Sequence, residues 1–249
     1  MQVAQEQPVC LPNVEWWEKR EFAEIELPEF PMEFRLIYQG PLLAVTDRDA
    51  RIAHKHEIRK KIHRQLKELW KTHYALQHLP DVTQHLYDDK TKTEWHWSRL
   101  DELSKAYTRG GFCFAPLICR YYGLVCSLEI LYLRKGIPGK VIRGGDLDNC
   151  MKTLLDALRI PGEKELPSDA KPNDSEHPFF CLMEDDALVT QIKITTDRLL
   201  VPQDESGDEL VETAEGEAGC NHPDNKVYLV IDVRTLVADP TRTYVEFSL

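Results

Sequence analysis

Two carboxylates and an amine stand at telling intervals in Gly144-Gly145-Asp146-Leu147-Asp148-Asn149-Cys150-Met151-Lys152-Thr153-Leu154-Leu155-Asp156-Ala157-Leu158. Asp146 and Asp148 are one residue apart, and like charges that close repel unless a cation lies between them. A hard divalent ion such as Mg2+ takes carboxylate oxygen and is the natural partner. A second acidic cluster, Glu184-Asp185-Asp186, directly precedes an alternating run from Ala187 to Thr196. Asp146, Asp148 and one carboxylate of this second cluster converging on one or two metals would polarise a phosphate, generate a hydroxide nucleophile and steady the leaving oxygen. Lys152, one turn after Asp148, would neutralise developing charge or order the water. The competing reading makes Asp148 a helix N-cap, with Lys152 and Asp156 as ion-pair partners along one helix face.

These groups need elements to hold them. Met151, Leu154, Leu155 and Leu158 recur at helical spacing, which predicts a helix from Asp148 to about Arg159 with Asp148, Lys152 and Asp156 on its other face. Leu124–Leu133 alternates and reads as a central strand, with further strands at Phe34–Tyr38, 187–196 and Val227–Val233. Residues 47–78 read as one long helix through Ile58, Ile62, Leu66, Leu69 and Leu76, and a short helix is expected near 98–107. The fold class is α/β (α+β), a small mixed sheet with two main helices packed on it. Residues 1–31 read as an N-terminal arm and 32–249 as a single domain. Inserts are expected at about 81–115 and at 160–181, where four prolines suggest a loop, with an acidic loop at 201–225.

The net charge of −11 argues against a nucleic-acid partner only as an average. Residues 47–71 carry nine Lys or Arg against four acids, net +5, whereas 197–225 carry nine acids against Arg198, net −8. The basic helix is either a solvated face or a surface for DNA, and the acidic loop could occupy that surface in cis. No apolar run is long enough to span a bilayer, and no signal peptide is evident at the N-terminus, so a cytoplasmic protein without membrane contact is expected. Seven cysteines lack C-x-x-C spacing, which favours free thiols, with Cys113, Cys119 and Cys126 at half-buried core positions. The sequence has no phosphate-loop motif, no nucleophile elbow and no convincing zinc pattern, so no nucleotide cofactor is expected.

The run Asp146-Leu147-Asp148-Asn149-x-x-Lys152-x-x-x-Asp156-Ala157-Leu158, followed by Asp185-Asp186-Ala187-x-Val189, resembles the signature of RusA-type Holliday-junction resolvases. Their pattern is D-x-D-N-x-x-K with an Asp-Asp pair at a following strand, in the same order of elements. The resemblance implies a homodimeric endonuclease that uses Mg2+, with Mn2+ as a substitute, to nick branched DNA. It assigns Asp146, Asp148 and Asp186 to the metal and Lys152 to catalysis. Asp185 is the first member of the pair, and Asn149 would buttress the site. Arg59 and Lys60 in the basic helix, and Lys140 and Arg143 ahead of the motif, are the nominated DNA contacts. A non-catalytic relative that binds DNA or a protein partner is the alternative. The segment between the motif helix and the acid pair, residues 160–184, is longer than in that family, and 201–225 has no counterpart there.

Overall fold

The computed structural model describes residues 32–42, 47–77, 82–84, 95–97, 99–134, 146–200 and 226–238. In chain order the elements are β1 (Glu33–Pro41), α1 (Arg48–Thr72), α2 (Tyr74–Gln77), β2 (Val82–Gln84), β3 (Trp95–Trp97), α3 (Arg99–Ala106), β4 (Thr108–Arg109), β5 (Phe112–Ile118), β6 (Leu124–Arg134), α4 (Asp146–Leu158), β7 (Phe179–Met183), β8 (Val189–Arg198) and β9 (Lys226–Val237). The result is a mixed α+β fold. The N-terminal arm 1–31 and the acidic loop 201–225 lie outside the described residues.

Alternation along the strands builds the principal sheet, ordered β1-β9-β6-β8. Leu36 and Tyr38 on β1, Leu128, Ile130 and Tyr132 on β6, and Leu229, Ile231 and Val233 on β9 are buried in one core. That core also takes Ile58, Ile62 and Leu66 of α1 and Leu154 and Leu158 of α4. On the opposite face, cross-strand pairs join Arg35 to Asp232, Glu33 to Arg234 and Glu129 to Lys193. A sheet covered by helices on one side and ion-paired on the other yields this period-two pattern. β6 is central, antiparallel to β9 and parallel to β8. A parallel neighbour cannot be reached by a tight turn, so the chain crosses over through α4 before returning to β8.

A second sheet, ordered β4-β5-β7, has its own aromatic cluster. Phe112, Phe114 and Phe179 pack edge-on or stacked, and the His56 and His63 rings of α1 lie against Phe179. The residues of β7 are all buried, as are all but one of β5. Sequence pattern placed Phe112 to Ala115 in an insert and Phe179 to Cys181 in a loop; both belong to strands. Short, uniformly apolar runs buried on both faces carry no alternation, and Pro116 and Pro178 point away from a strand.

Elsewhere the expected elements form, with small shifts at their ends. The long helix stops at Thr72, where His73 leaves helical geometry and donates to the Leu69 carbonyl at 2.9 Å. Tyr74–Gln77 then makes a separate short turn of helix.

Candidate functional site

α4 begins at Asp146, which makes Asp148 the third residue of the helix and not its cap. The apolar stripe turns inward as its spacing requires: Cys150, Met151, Leu154, Ala157 and Leu158 are buried. Asp148 and Lys152 are left on the solvent side. The Lys152 Nζ lies 2.6 Å from the Asp148 carboxylate, with the two side chains 67% and 70% exposed. An exposed pair at this spacing contributes only ~0.3–0.5 kcal/mol, so stability is a poor reason for it. Asn149 is exposed beside them. Of Asp146 the backbone is described, at the head of the helix.

The start of α4 is fixed against the end of β1. The Cys150 thiol donates to the Leu42 carbonyl at 3.2 Å. Pro41, just before it, pairs with Lys226 of β9, and the next β9 residue, Val227, pairs with Arg134 at the C-terminal end of β6. Asp148 therefore sits at the end of the sheet where β6 finishes.

The second acidic cluster divides into three roles. Glu184 accepts from the Arg120 backbone amide at 2.9 Å and from its guanidinium at 2.6 Å, tying β7 to the turn before β6. Asp185 caps the short 3-10 turn Asp186–Leu188 by accepting from the Ala187 amide at 2.9 Å. Asp186 is exposed at the head of that turn. Val189 follows and pairs with Cys126, near the beginning of β6.

The three expected metal ligands are thus not brought together within one chain. From Cys126 to Arg134 a strand advances ~26 Å at about 3.3 Å per residue. Asp186 lies at the first end and Asp148 at the second. The physical reason is the parallel pairing of β6 and β8: the start of β8 lies beside the start of β6, whereas the intervening helix starts where β6 ends. Among the described residues no group of three His, Cys, Asp or Glu side chains could hold a metal ion.

Asp156, expected to share the Lys152 face, serves packing instead. Its carboxylate pairs with Lys55 of α1 and, at 2.9 Å, with Arg159, which also reaches Glu165 at 3.0 Å. Burial works to raise the Asp156 pKa, but the Lys55 ammonium and Arg159 guanidinium outweigh it and hold the carboxyl below its ordinary value. Arg59 was nominated as a DNA contact; it is 1% exposed and donates to the Asp156 carbonyl at 3.0 Å. Its role is corrected accordingly: it clamps α1 to α4 from inside. Lys60 is partly exposed and pairs with Glu57 at 3.1 Å. Lys140 and Arg143 lie outside the described residues.

Two cations that share the Asp148 end of the sheet were not singled out from the sequence. Arg48 and Arg51 are exposed at the start of α1, two turns and one turn before Lys55, which pairs with Asp156 of α4, and Lys61 of the same helix donates to the Gln39 carbonyl near the end of β1. The signal was present in the basic run, but only the fold says which of its members face outward. Arg48→Ala/Arg51→Ala is expected to leave the melting temperature unchanged, because both side chains are exposed. Arg59→Ala is expected to lower it, costing ~3 kcal/mol of stability by leaving a cavity and an uncovered carbonyl. Thermal melts of the two variants check this; a lowered melting point for the exposed pair would contradict it.

No protein-family model, curated protein or solved structure matches the chain. Among the described residues no helix is long and apolar enough to cross a membrane.

Proposed function

We propose that this protein is a Mg2+-dependent endonuclease acting on branched DNA, with its reactive centre at the start of α4. The observation that carries the reading is the exposed Asp148–Lys152 pair beside Asp146, in a motif that resembles that of RusA-type resolvases. The fit to the metal is chemical. Mg2+ keeps several waters and is held by one or two carboxylates together with substrate phosphates. Asp148, exposed on the solvent side of α4 and two residues after Asp146, suits that requirement. When bound, the ion would supply Lewis acidity and a water of lowered pKa.

The chain's own groups have distinct work. Asp146 and Asp148 offer the oxygen donors. Lys152 holds the Asp148 carboxylate in one orientation, and its ammonium is within a side chain's reach of a phosphate drawn to that carboxylate's metal. Arg48 and Arg51, at the same end, suit the flanking backbone phosphates, which are positioned by cations without regard to sequence. The apolar stripe of α4 and the internal Lys55–Asp156–Arg159 pairing make the platform rigid beneath the exposed acids.

Metal dependence tests the proposal. Cleavage of a labelled branched DNA is expected with Mg2+ or Mn2+ and lost with Ca2+, whose larger, more flexible shell supports binding without chemistry. Full activity in excess chelator would overturn the metal mechanism.

A further inference from the structure

Two like charges face each other at the end of the principal sheet where α4 begins. Within the sheet, Arg35 faces Asp232, Arg234 faces Glu33 and Lys193 faces Glu129, each cation ion-paired with an acid on the next strand. Arg134 and Arg198, near the ends of β6 and β8, face each other instead. Among the described residues neither is ion-paired with a carboxylate. The nearest acid in sequence, Asp197, is in step with Leu133 on the open face, and its carboxylate accepts from the Arg198 amide at 2.7 Å.

The register there is firm. Pairing runs unbroken from Ser127 and Gln191 to Arg134 and Arg198, and the Leu199 amide donates to the Arg134 carbonyl at 2.8 Å. Phase then sets the direction of both side chains. Arg134 is in step with Leu128, Ile130 and Tyr132, which are buried against the helices. Arg198 is in step with Ile192, Ile194 and Thr196, the neighbours of those three on β8. Both guanidinium groups therefore leave the sheet on the face that carries α4, Arg134 partly exposed and Arg198 exposed.

Like charges on adjacent strands, ~4.8 Å apart, repel, so the pairing is unfavourable by itself. An anion between them reverses its sign. Each guanidinium is a planar fork that matches phosphate oxygens two at a time, and two forks side by side suit the phosphates of a nucleic-acid backbone. Resting on the nuclease reading above, we infer that Arg134 and Arg198 hold the DNA backbone on the β8 side of the bond cut at the start of α4.

Distances across the sheet fit that role. The start of α4 is held at Leu42, just past β1. In the order β1-β9-β6-β8, Arg134 stands two strands from β1 and Arg198 three, ~10 and ~14 Å at ~4.8 Å per strand. One DNA strand carries a phosphate every ~3.4 Å of axis, so the pair meets the backbone about three or four nucleotides from the reacting phosphate. Contacts of this kind fix register on the DNA without reading its sequence.

Binding in Ca2+, which is expected to leave the DNA uncut, tests this. Affinity for a labelled four-way junction is measured over a series of KCl concentrations for the wild type, for Arg134→Gln/Arg198→Gln, and for a control, Arg35→Gln/Lys193→Gln, which removes the same charge from the opposite face. The first variant is expected to lower the slope of log affinity against log salt by about 2, and the control to keep the wild-type slope. Its melting temperature is expected not to fall, because the substitutions relieve a repulsion. A wild-type slope in Arg134→Gln/Arg198→Gln, or the same loss in the control, would overturn the inference. A lowered melting temperature would assign the pair to the fold and overturn it too. A wild type that binds with the full slope, loses about 2 in the variant, yet cuts no branched DNA in Mg2+ would overturn the nuclease reading and leave the phosphate contact standing.

Discussion

Asp148→Asn is expected to reduce the cleavage rate by at least about a thousandfold while leaving the protein folded, because it removes the carboxylate charge that would hold the metal without changing shape. The Asp148–Lys152 pair is exposed, so its loss costs under ~0.5 kcal/mol and the urea midpoint should not move. DNA binding in Ca2+ should persist, since Arg48 and Arg51 remain. Measuring cleavage, binding and unfolding on the same preparation separates a catalytic role from a structural one. A variant that cuts at the wild-type rate would remove Asp148 from the reaction, and one that has unfolded would contradict the small stability cost.

The second large effect concerns acid. His56 is 3% exposed, with its ring against Phe112 and Phe179. Burial first, then the nearby Arg59 and Lys60 charges, pushes its pKa down to about 4. The neighbouring Glu57 and Glu176 carboxylates oppose this shift without cancelling it. His63 is buried beside it and uses both ring nitrogens: Nδ1 accepts from the Phe180 amide at 2.8 Å, and Nε2 lies 3.3 Å from the Ser175 carbonyl. Protonating Nδ1 would set two donors against each other, and burial lowers this pKa too, although Ser175 and Glu176 favour the charged ring and Lys67 disfavours it.

For both histidines the folded pKa is below the unfolded value of about 6.5, so the unfolded chain takes up protons first as pH falls. Stability is thus complete above about pH 6.5 and declines below it, His56 alone contributing a loss on the order of 3 kcal/mol by pH 4. Asp156 and Glu165, whose carboxyls are held below their ordinary values, add a further loss only at lower pH. Urea unfolding at pH 7.5, 6, 5 and 4.5 should trace this decline. His56→Leu should flatten most of it, and an unchanged pH slope in that variant would place the acid sensitivity elsewhere.

Much of the fold was legible because the relevant faces differ sharply in polarity. The strands β1, β6, β8 and β9 alternate, and α4 carries its stripe at Met151, Leu154 and Leu158, so period alone located them. β5 and β7 were not legible as strands. Both are buried on two sides, so neither alternates, and both are bordered or interrupted by proline. Arg59 was misread for a related reason: composition marks a helix as basic, but which arginine turns inward depends on where α4 and β7 pack. The local site was legible through Asp148 and Lys152, four residues apart on one helix. Asp186 was read as directly preceding a strand from Ala187, whereas it heads a 3-10 turn and the strand begins at Val189; its distance from Asp148 depends on parallel pairing across a crossover, which no local spacing encodes.

The measurement that bears most directly on the central claim is cleavage of end-labelled synthetic DNAs, a four-way junction, a fork, a duplex and a single strand, by the purified wild-type chain in Mg2+, resolved on a denaturing gel beside the Asp148→Asn variant. Paired, symmetric nicks in the four-way junction, absent from the duplex and single strand and absent with Asp148→Asn, are the predicted result. No cleavage of any branched DNA, or cleavage that Asp148→Asn leaves unchanged, would contradict it.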